Sequence, residues 1–179
     1  RAVLELALHL AETGVLDRLD PTDAIALLPS RHAGGWSLPG EIASLLVDLA
    51  ELQEGESAYT AWDFGGQLAS RATAKGAKAY LETPVKSPIP ALVSLIVDRP
   101  VEIQFGDPIR SPSFLSEGRP RKFDVAVAFP PMGQHHSADV VDRDWFGRFP
   151  ERTHSGAVLA VRHLLAQAKR RVVVAVPNN

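Results

Sequence analysis

Lys122-Phe123-Asp124-Val125-Ala126-Val127-Ala128-Phe129-Pro130-Pro131-Met132-Gly133 reads as a buried strand running into a stiff loop. The apolar run from Val125 to Phe129 is rich in Val and Ala, follows a charged entry and stops at a double proline. Two successive prolines lack backbone donors and hold the chain extended, so the strand ends at Phe129 and the following residues are held at its carboxyl end. In an open α/β sheet, ligands bind at that rim.

Outward from this strand the pattern alternates. Ser57 to Leu68 reads as a strand, a tight loop and a helix start. Gly66 to Lys75 is predicted helical, Ala79 to Glu82 a short strand, and Pro88 to Asp98 a helix with Leu92, Leu95 and Ile96 inward. Val101 to Phe105 is a third strand. Ile109 to Arg121, with two prolines and Gly118, has the composition of a surface loop, and Gln134 to Pro150 is irregular and anchored by Trp145, Phe146 and Phe149. His154 or Ser155 caps a helix running to about Lys169, on which Val158, Leu159, Arg162 and Leu165 are helically spaced, and Val172 to Val176 is the fifth strand. This order predicts a mostly parallel sheet with right-handed crossovers and helices on both faces.

Upstream, Val3, Leu6 and Leu10 have helical spacing, and Asp20-Pro21 opens a second, short helix that ends in the loop around Pro29, Gly34 and Gly35. A further helix opens at Trp36-Ser37-Leu38-Pro39-Gly40-Glu41-Ile42, with Ile42, Leu45, Leu46 and Leu49 as one apolar stripe. The expected division is an N-terminal helical segment over 1–35 and an α/β domain over 36–179.

The chain has 179 residues, 45% apolar and 22% charged, enough for one domain with a substantial core. It has no cysteine, which excludes disulfides, thiolate metal sites and cysteine nucleophiles and fits a reducing cytoplasm. No apolar run has the length of a membrane span, so no membrane partner is expected. A net charge of -2 argues against a wholly basic nucleic-acid platform, leaving local clusters at Arg119/Arg121/Lys122 and Lys169/Arg170/Arg171. His135, His136, Asp139, Asp142 and Asp144 match no metal-site spacing, and no metal is expected.

Phe123 to Gly133 resembles the Phe-Asp-Val-x-x-Ala-Asn-Pro-Pro-Phe-Gly loop of amino-directed DNA methyltransferases, in the form typical of the modification subunit of type I restriction-modification enzymes. Phe129 stands at the Asn of that motif and Met132 at its aromatic residue. The segment opening at Trp36 resembles the family's Tyr-Thr-Pro-x-Glu-Ile. Tyr59 to Leu68 aligns without a gap to Tyr-Asp-Pro-Ala-Cys-Gly-Ser-Gly-Gly-Leu, with Thr60 at the Asp, Phe64 at the first Gly and Gly66 kept. Gly106-Asp107-Pro108 resembles the Gly-Asp loop that faces the cofactor's adenine. Phe146 to Pro150 resembles the segment before the next helix, and Pro177-Asn178-Asn179 the Leu-Pro-Asn-Gly turn. The family then adds a closing antiparallel hairpin, which this sequence does not contain, and a fragment of a longer chain is expected.

The resemblance implies a Rossmann-like methyltransferase fold and S-adenosylmethionine as cofactor. Its binding positions fall on Thr60, Asp63, Gly65, Gly66, Glu82 and Asp107, although the closest register puts Pro84 rather than Glu82 at the ribose-binding acid. The catalytic positions are Phe129, Pro130, Pro131 and Met132. In the active family the Asn oxygen and the first proline's carbonyl accept the hydrogens of adenine's amine, and the flipped base stacks on the aromatic residue. Phe129 has no acceptor, and losing one oriented polar partner costs on the order of 10² to 10³ in rate. Trp62 and Phe64 bring bulk where glycine backbone would approach the cofactor. The expected function is therefore an impaired adenine methyltransferase-like domain with DNA or other restriction-modification subunits as partners. An active enzyme completed by a partner or by further sequence, and a Rossmann-like enzyme for another small molecule, are the alternatives.

Overall fold

A computed structural model describes residues 38–96 and 98–177, together with residues 5, 8, 9 and 12–14. The helices expected over 1–29 and the opening Trp36-Ser37 lie almost entirely outside the described residues.

The strand of the Pro-Pro stretch forms at Phe123–Ala128 (β6) and pairs in parallel with β1 (Ser57–Ala61) and β7 (Ala168–Val174). On the other side of β1 lie β2 (Lys78–Thr83) and then β3 (Val101–Phe105), also parallel. The order is β3-β2-β1-β6-β7, so the chain builds outward from β1 and then returns to its other flank. That reversal lies between β1 and β6, and in such sheets it opens a crevice above the carboxyl ends of the two strands.

Alternation along the strands gives two apolar faces. Tyr59, Ala61, Ala126 and Ala128 face one layer, covered by α5 (Gly156–Gln167) through Leu159, Ala160 and Leu164. Val125 and Val127 face the other layer with Leu68 of α2 (Gln67–Ala74) and Ala43, Leu46 and Val47 of α1 (Gly40–Leu49). Ala58, Ala79 and Leu81 meet Ala69 and Ala72 of α2 on that same side. α3 (Ile89–Ile96) follows β2, and α4 (Ala138–Asp142) precedes α5.

Several expectations are corrected. The buried side of α1 is Ala43, Leu46 and Val47, whereas Ile42, Leu45 and Leu49 are exposed, because small residues let the helix lie close to α2 and β6. In α3 the inward residues are Pro90 and Val93, and Leu95 is 74% exposed. On α5 the inward face is Leu159, Ala160, His163, Leu164 and Gln167, with Val158 and Leu165 outside. Segment 109–121 is not wholly surface: Ile109 and Phe114 are core residues, and β4 (Leu115–Ser116) and β5 (Arg119–Pro120) form a small hairpin. Phe149 anchors its loop but Trp145 is 93% exposed. β7 starts at Ala168, directly after α5, four residues before the expected Val172.

The amino ends of three strands are tied by one carboxylate. Asp124 accepts hydrogen bonds from the Ser57 backbone amide (2.9 Å) and hydroxyl (2.6 Å), and pairs with Lys169 at 3.2 Å. The Ser57 bonds, ahead of the Lys169 charge, hold its carboxyl at about 2. That value lies below the usual 3.8, so its stabilisation is complete above about 3.8 and is lost as pH falls through about 2. Asp124→Ala is expected to lower the urea midpoint at pH 7, with the gap to wild type closing in the acid window.

Candidate functional site at the carboxyl rim

The loop after β1 is built from two buried rings and a buried carboxylate. Trp62 adopts a left-handed backbone (φ 57), held by its amide donating to the Glu82 carbonyl at 2.9 Å. Its ring and that of Phe64 are 6% exposed and join the core beneath α5. Across the crevice Phe129 is half-buried against the α1 layer. Between the loops after β1 and β6 remains a cavity of about 10 Å³, bordered by Leu38, Trp62, Phe64, Gly65 and Phe129. That is room for about one water molecule.

Asp63 is buried here, and its carboxylate accepts the Ala69 amide at 2.8 Å and the amides of Leu68 and Gln67. These are the unpaired donors of the first turn of α2, so the protein's own anion fills that helix N-terminus. Burial raises the carboxyl to about 6, against the lowering effect of the three amides. Thr60 is fully buried, and its hydroxyl has no partner among the described residues. Gly66 has φ 73, and a Cβ there would stand 3.2 Å from the Cα of Pro90. The left-handed backbone accounts for this glycine, and the nearness of Pro90 on α3 adds to the demand.

Glu82, at the end of β2, is fully buried with both oxygens engaged. Tyr59 donates its hydroxyl to Oε2 and the Ser113 amide donates to Oε1, each at 2.5 Å. Burial raises its carboxyl above the ordinary range, with the Tyr59 and Ser113 bonds acting in the lowering direction. Gly106 makes this closure possible: a Cβ there would fall 1.9 Å from Ser113 Oγ and 2.8 Å from Glu82 Oε1. Asp107 turns back on its own loop, accepting the amides of Ile109 (2.9 Å) and Arg110 (3.1 Å).

The polar chain behind Glu82 was not legible in the sequence. Tyr59 Oη lies 2.8 Å from His163 Nε2, and Arg148 donates to His163 Nδ1 at 2.8 Å. Arg148 also donates to Asp144 (2.8 Å) and to the carbonyls of Pro108 (2.8 Å) and Ile109 (2.6 Å). The one available signal was a histidine on the apolar face of α5, three and four residues from Ala160 and Leu159.

Open volume lies beside the crevice. A pocket of about 280 Å³ is walled by Trp62, Phe64, Pro84, Val85, Ile109 and Pro131, with Asp107, Gln134 and His136 at its polar side. Met132 is half-buried outside this lining and Pro130 is buried. A wider hollow of about 380 Å³ sits at the amino ends of β2 and β3, away from the reversal point. Among the described residues no group of His, Asp and Glu is placed to hold a metal ion, and no helix is long and apolar enough to cross a membrane.

No protein-family model matches the chain, and no curated protein matches it by sequence. Solved structures do resemble it. A Pyrococcus horikoshii protein described as an RNA methyltransferase superposes with a TM-score of 0.52 and 17% identity, over 83% of this chain and 69% of that one. Coclaurine N-methyltransferase, solved with N-methylheliamine and S-adenosylhomocysteine, superposes with a TM-score of 0.51 and 13% identity, over 75% and 34%. The fold is that of the methyltransferases. TrmN from Thermus thermophilus matches with a TM-score of 0.43 and 20% identity over 55% of this chain. The chain spans 30% of the length of TrmN and 34% of coclaurine N-methyltransferase.

Within the methyltransferase fold, the positions that the resemblance assigns to S-adenosylmethionine are turned inward and leave little open room at the rim. The acid at the end of β2 is sealed, the β1 loop carries two rings, and the reversal point is filled. The adjoining pocket falls just below the roughly 300 to 1,000 Å³ of sites for drug-sized ligands.

Asp63→Ala would orphan three amides of α2, and a loss of about 1–3 kcal/mol is expected in urea unfolding at pH 7. In the wild type the carboxyl carbon should titrate near pH 6 by NMR. Because this lies above 3.8, the folded protein binds the proton more tightly than the unfolded chain. Acidification from pH 7 to about 4 is therefore expected to stabilise wild type relative to Asp63→Asn, a gain reversed as pH rises through about 6.

Proposed function

We propose that this chain is a methyltransferase-like domain related to the modification subunits of type I restriction-modification enzymes, that it holds S-adenosylmethionine weakly, and that it no longer transfers methyl groups to adenine. The observation that carries this reading is the filled crevice: about 10 Å³ remains between the loops after β1 and β6. Phe129, where the related motif has Asn, contributes a ring to that filling and no acceptor. The residue that carries the second acceptor of the motif, Pro130, is itself buried.

The surface supports a role in subunit contacts more than in broad DNA contact. Of the basic cluster on β7, Lys169 pairs with Asp124, Arg170 with Glu56 (2.8 Å) and Arg171 with Glu51 (2.7 Å). Arg121 lies over the Tyr80 ring at 4.3 Å, and Arg148 is buried. Exposed apolar side chains at Ile42, Leu45 and Leu49 on α1, and Trp145, suit contact with another subunit, in a cytoplasmic complex on DNA. A second reading, a Rossmann-like enzyme for another small molecule, is favoured by the pocket beside Trp62 and Phe64.

Calorimetry with S-adenosylmethionine is expected to give a Kd weaker than about 1 mM, and no labelled methyl should reach DNA. Phe129→Asn restores the amide but leaves Trp62 and Phe64 in place, so transfer is expected to remain absent. Micromolar binding, or methylation of DNA by wild type or Phe129→Asn, would overturn the reading. Tight binding of a different small molecule in competition with nothing adenosyl-like would favour the second.

A further inference from the structure

Segment 107–113 lends Asp107 and Ile109 to the wall of the rim pocket, and besides the core packing of Ile109 it is anchored by polar bonds at both ends. The Pro108 and Ile109 carbonyls receive the Arg148 guanidinium, and the Ser113 amide ends on Glu82. Between these two points runs one hydrogen-bonded chain, and its donors all point the same way. Arg148 can only donate, so His163 Nδ1 accepts and carries no hydrogen. The neutral ring therefore has its proton on Nε2 and donates to Tyr59, which donates to Glu82. Each member fixes the polarity of the next.

We propose that the chain Asp144, Arg148, His163, Tyr59 and Glu82 is a proton-operated latch: with His163 neutral it fastens segment 107–113 to the sheet, and a proton on His163 releases that segment and uncovers Glu82. A proton on Nδ1 would set an N–H against the Arg148 N–H 2.8 Å away and place two cations side by side without water. The latch does not depend on which ligand the pocket takes.

Among the described residues, the groups facing His163 are few. From β1 comes the Tyr59 hydroxyl and from the loop after it, edge-on at 5.9 Å, the Trp62 ring; from the turn after α4 comes Arg148, neutralised by Asp144. Glu82 of β2 is reached only through Tyr59. On α5 itself the neighbouring Arg162 is paired outward with Glu151. Burial, and then the Arg148 charge, keep the closed-state His163 well below its usual 6.5, so the open form binds the proton more tightly. The closed form is therefore complete above about pH 6.5 and gives way as pH falls. Glu82 acts in the opposite sense, because burial raises its carboxyl in the closed form, so the response flattens at the acid end.

Amide hydrogen exchange on the intact wild-type chain, corrected for intrinsic rates, tests this between pH 8 and 5. Protection of residues 107–114 is expected to fall by up to about tenfold per pH unit below about 6.5, while amides of β1 and β6 keep theirs. In His163→Gln, which keeps an acceptor and a donor but does not titrate, the profile should be flat. A flat wild-type profile, a parallel loss in β1 and β6, or the same slope in His163→Gln would overturn the latch. Should that variant fail to fold, the ring nitrogen shifts of His163 in wild type decide: titration coincident with the loss of protection supports the latch, and a ring still neutral when protection is gone overturns it.

Discussion

A guanidinium with almost no access to water must find its partners inside the protein, and leaving it unpaired would cost several kcal/mol. Arg148 is in that position, with a side chain 2% exposed, and it meets the demand through Asp144, two loop carbonyls and His163. Those bonds decide where the loops on the rim can lie. The turn after α4 is held by Asp144, segment 107–113 is drawn against it, and α5 presents His163 at the one height where Tyr59 can be reached. The aromatic group beneath follows, with Tyr59 stacked on Phe123 at 5.1 Å and Phe114 edge-on to both.

The same arrangement explains why the rim is closed. Tyr59 pulls the Glu82 carboxylate inward, and Ser113 caps its other oxygen across the space that Gly106 leaves free. Asp63 is likewise turned inward onto α2. Two carboxylates at the ends of β1 and β2, which could face a ligand in this fold, thus satisfy the protein's own donors. Closure is a property of the polar bonds as much as of the rings of Trp62 and Phe64.

The strands and their parallel arrangement were legible because parallel strands buried on both faces leave continuous apolar runs, as at Val125 to Phe129, while their order in the sheet was not. The helical faces were less legible. Large apolar residues at Ile42, Leu45, Leu49 and Leu95 draw the eye, but close packing selects Ala43, Val47, Pro90 and Val93. Trp145 misled for the same reason, since size alone does not say which way a side chain points. At the site, the positions of Thr60, Asp63, Gly66, Glu82 and Asp107 at strand ends could be placed by motif, while their partners could not. Arg148 and His163 lie 66 and 81 residues beyond Glu82 in the chain, and only the fold brings them together.

α5 passes into β7 between Gln167 and Ala168 without a connecting loop. Pairing with β6 begins at Phe123 and Ala168 and resumes at Val125 and Arg171, so one extra residue is taken up in a bulge at the junction. Inserting or deleting a single residue in the second half of α5 would have no slack to enter: either the helix would turn by about 100°, or Val172 and Val174 would exchange faces with Val173. This stretch should therefore be among the least permissive of length variation in the whole chain, although it borders the edge of the sheet.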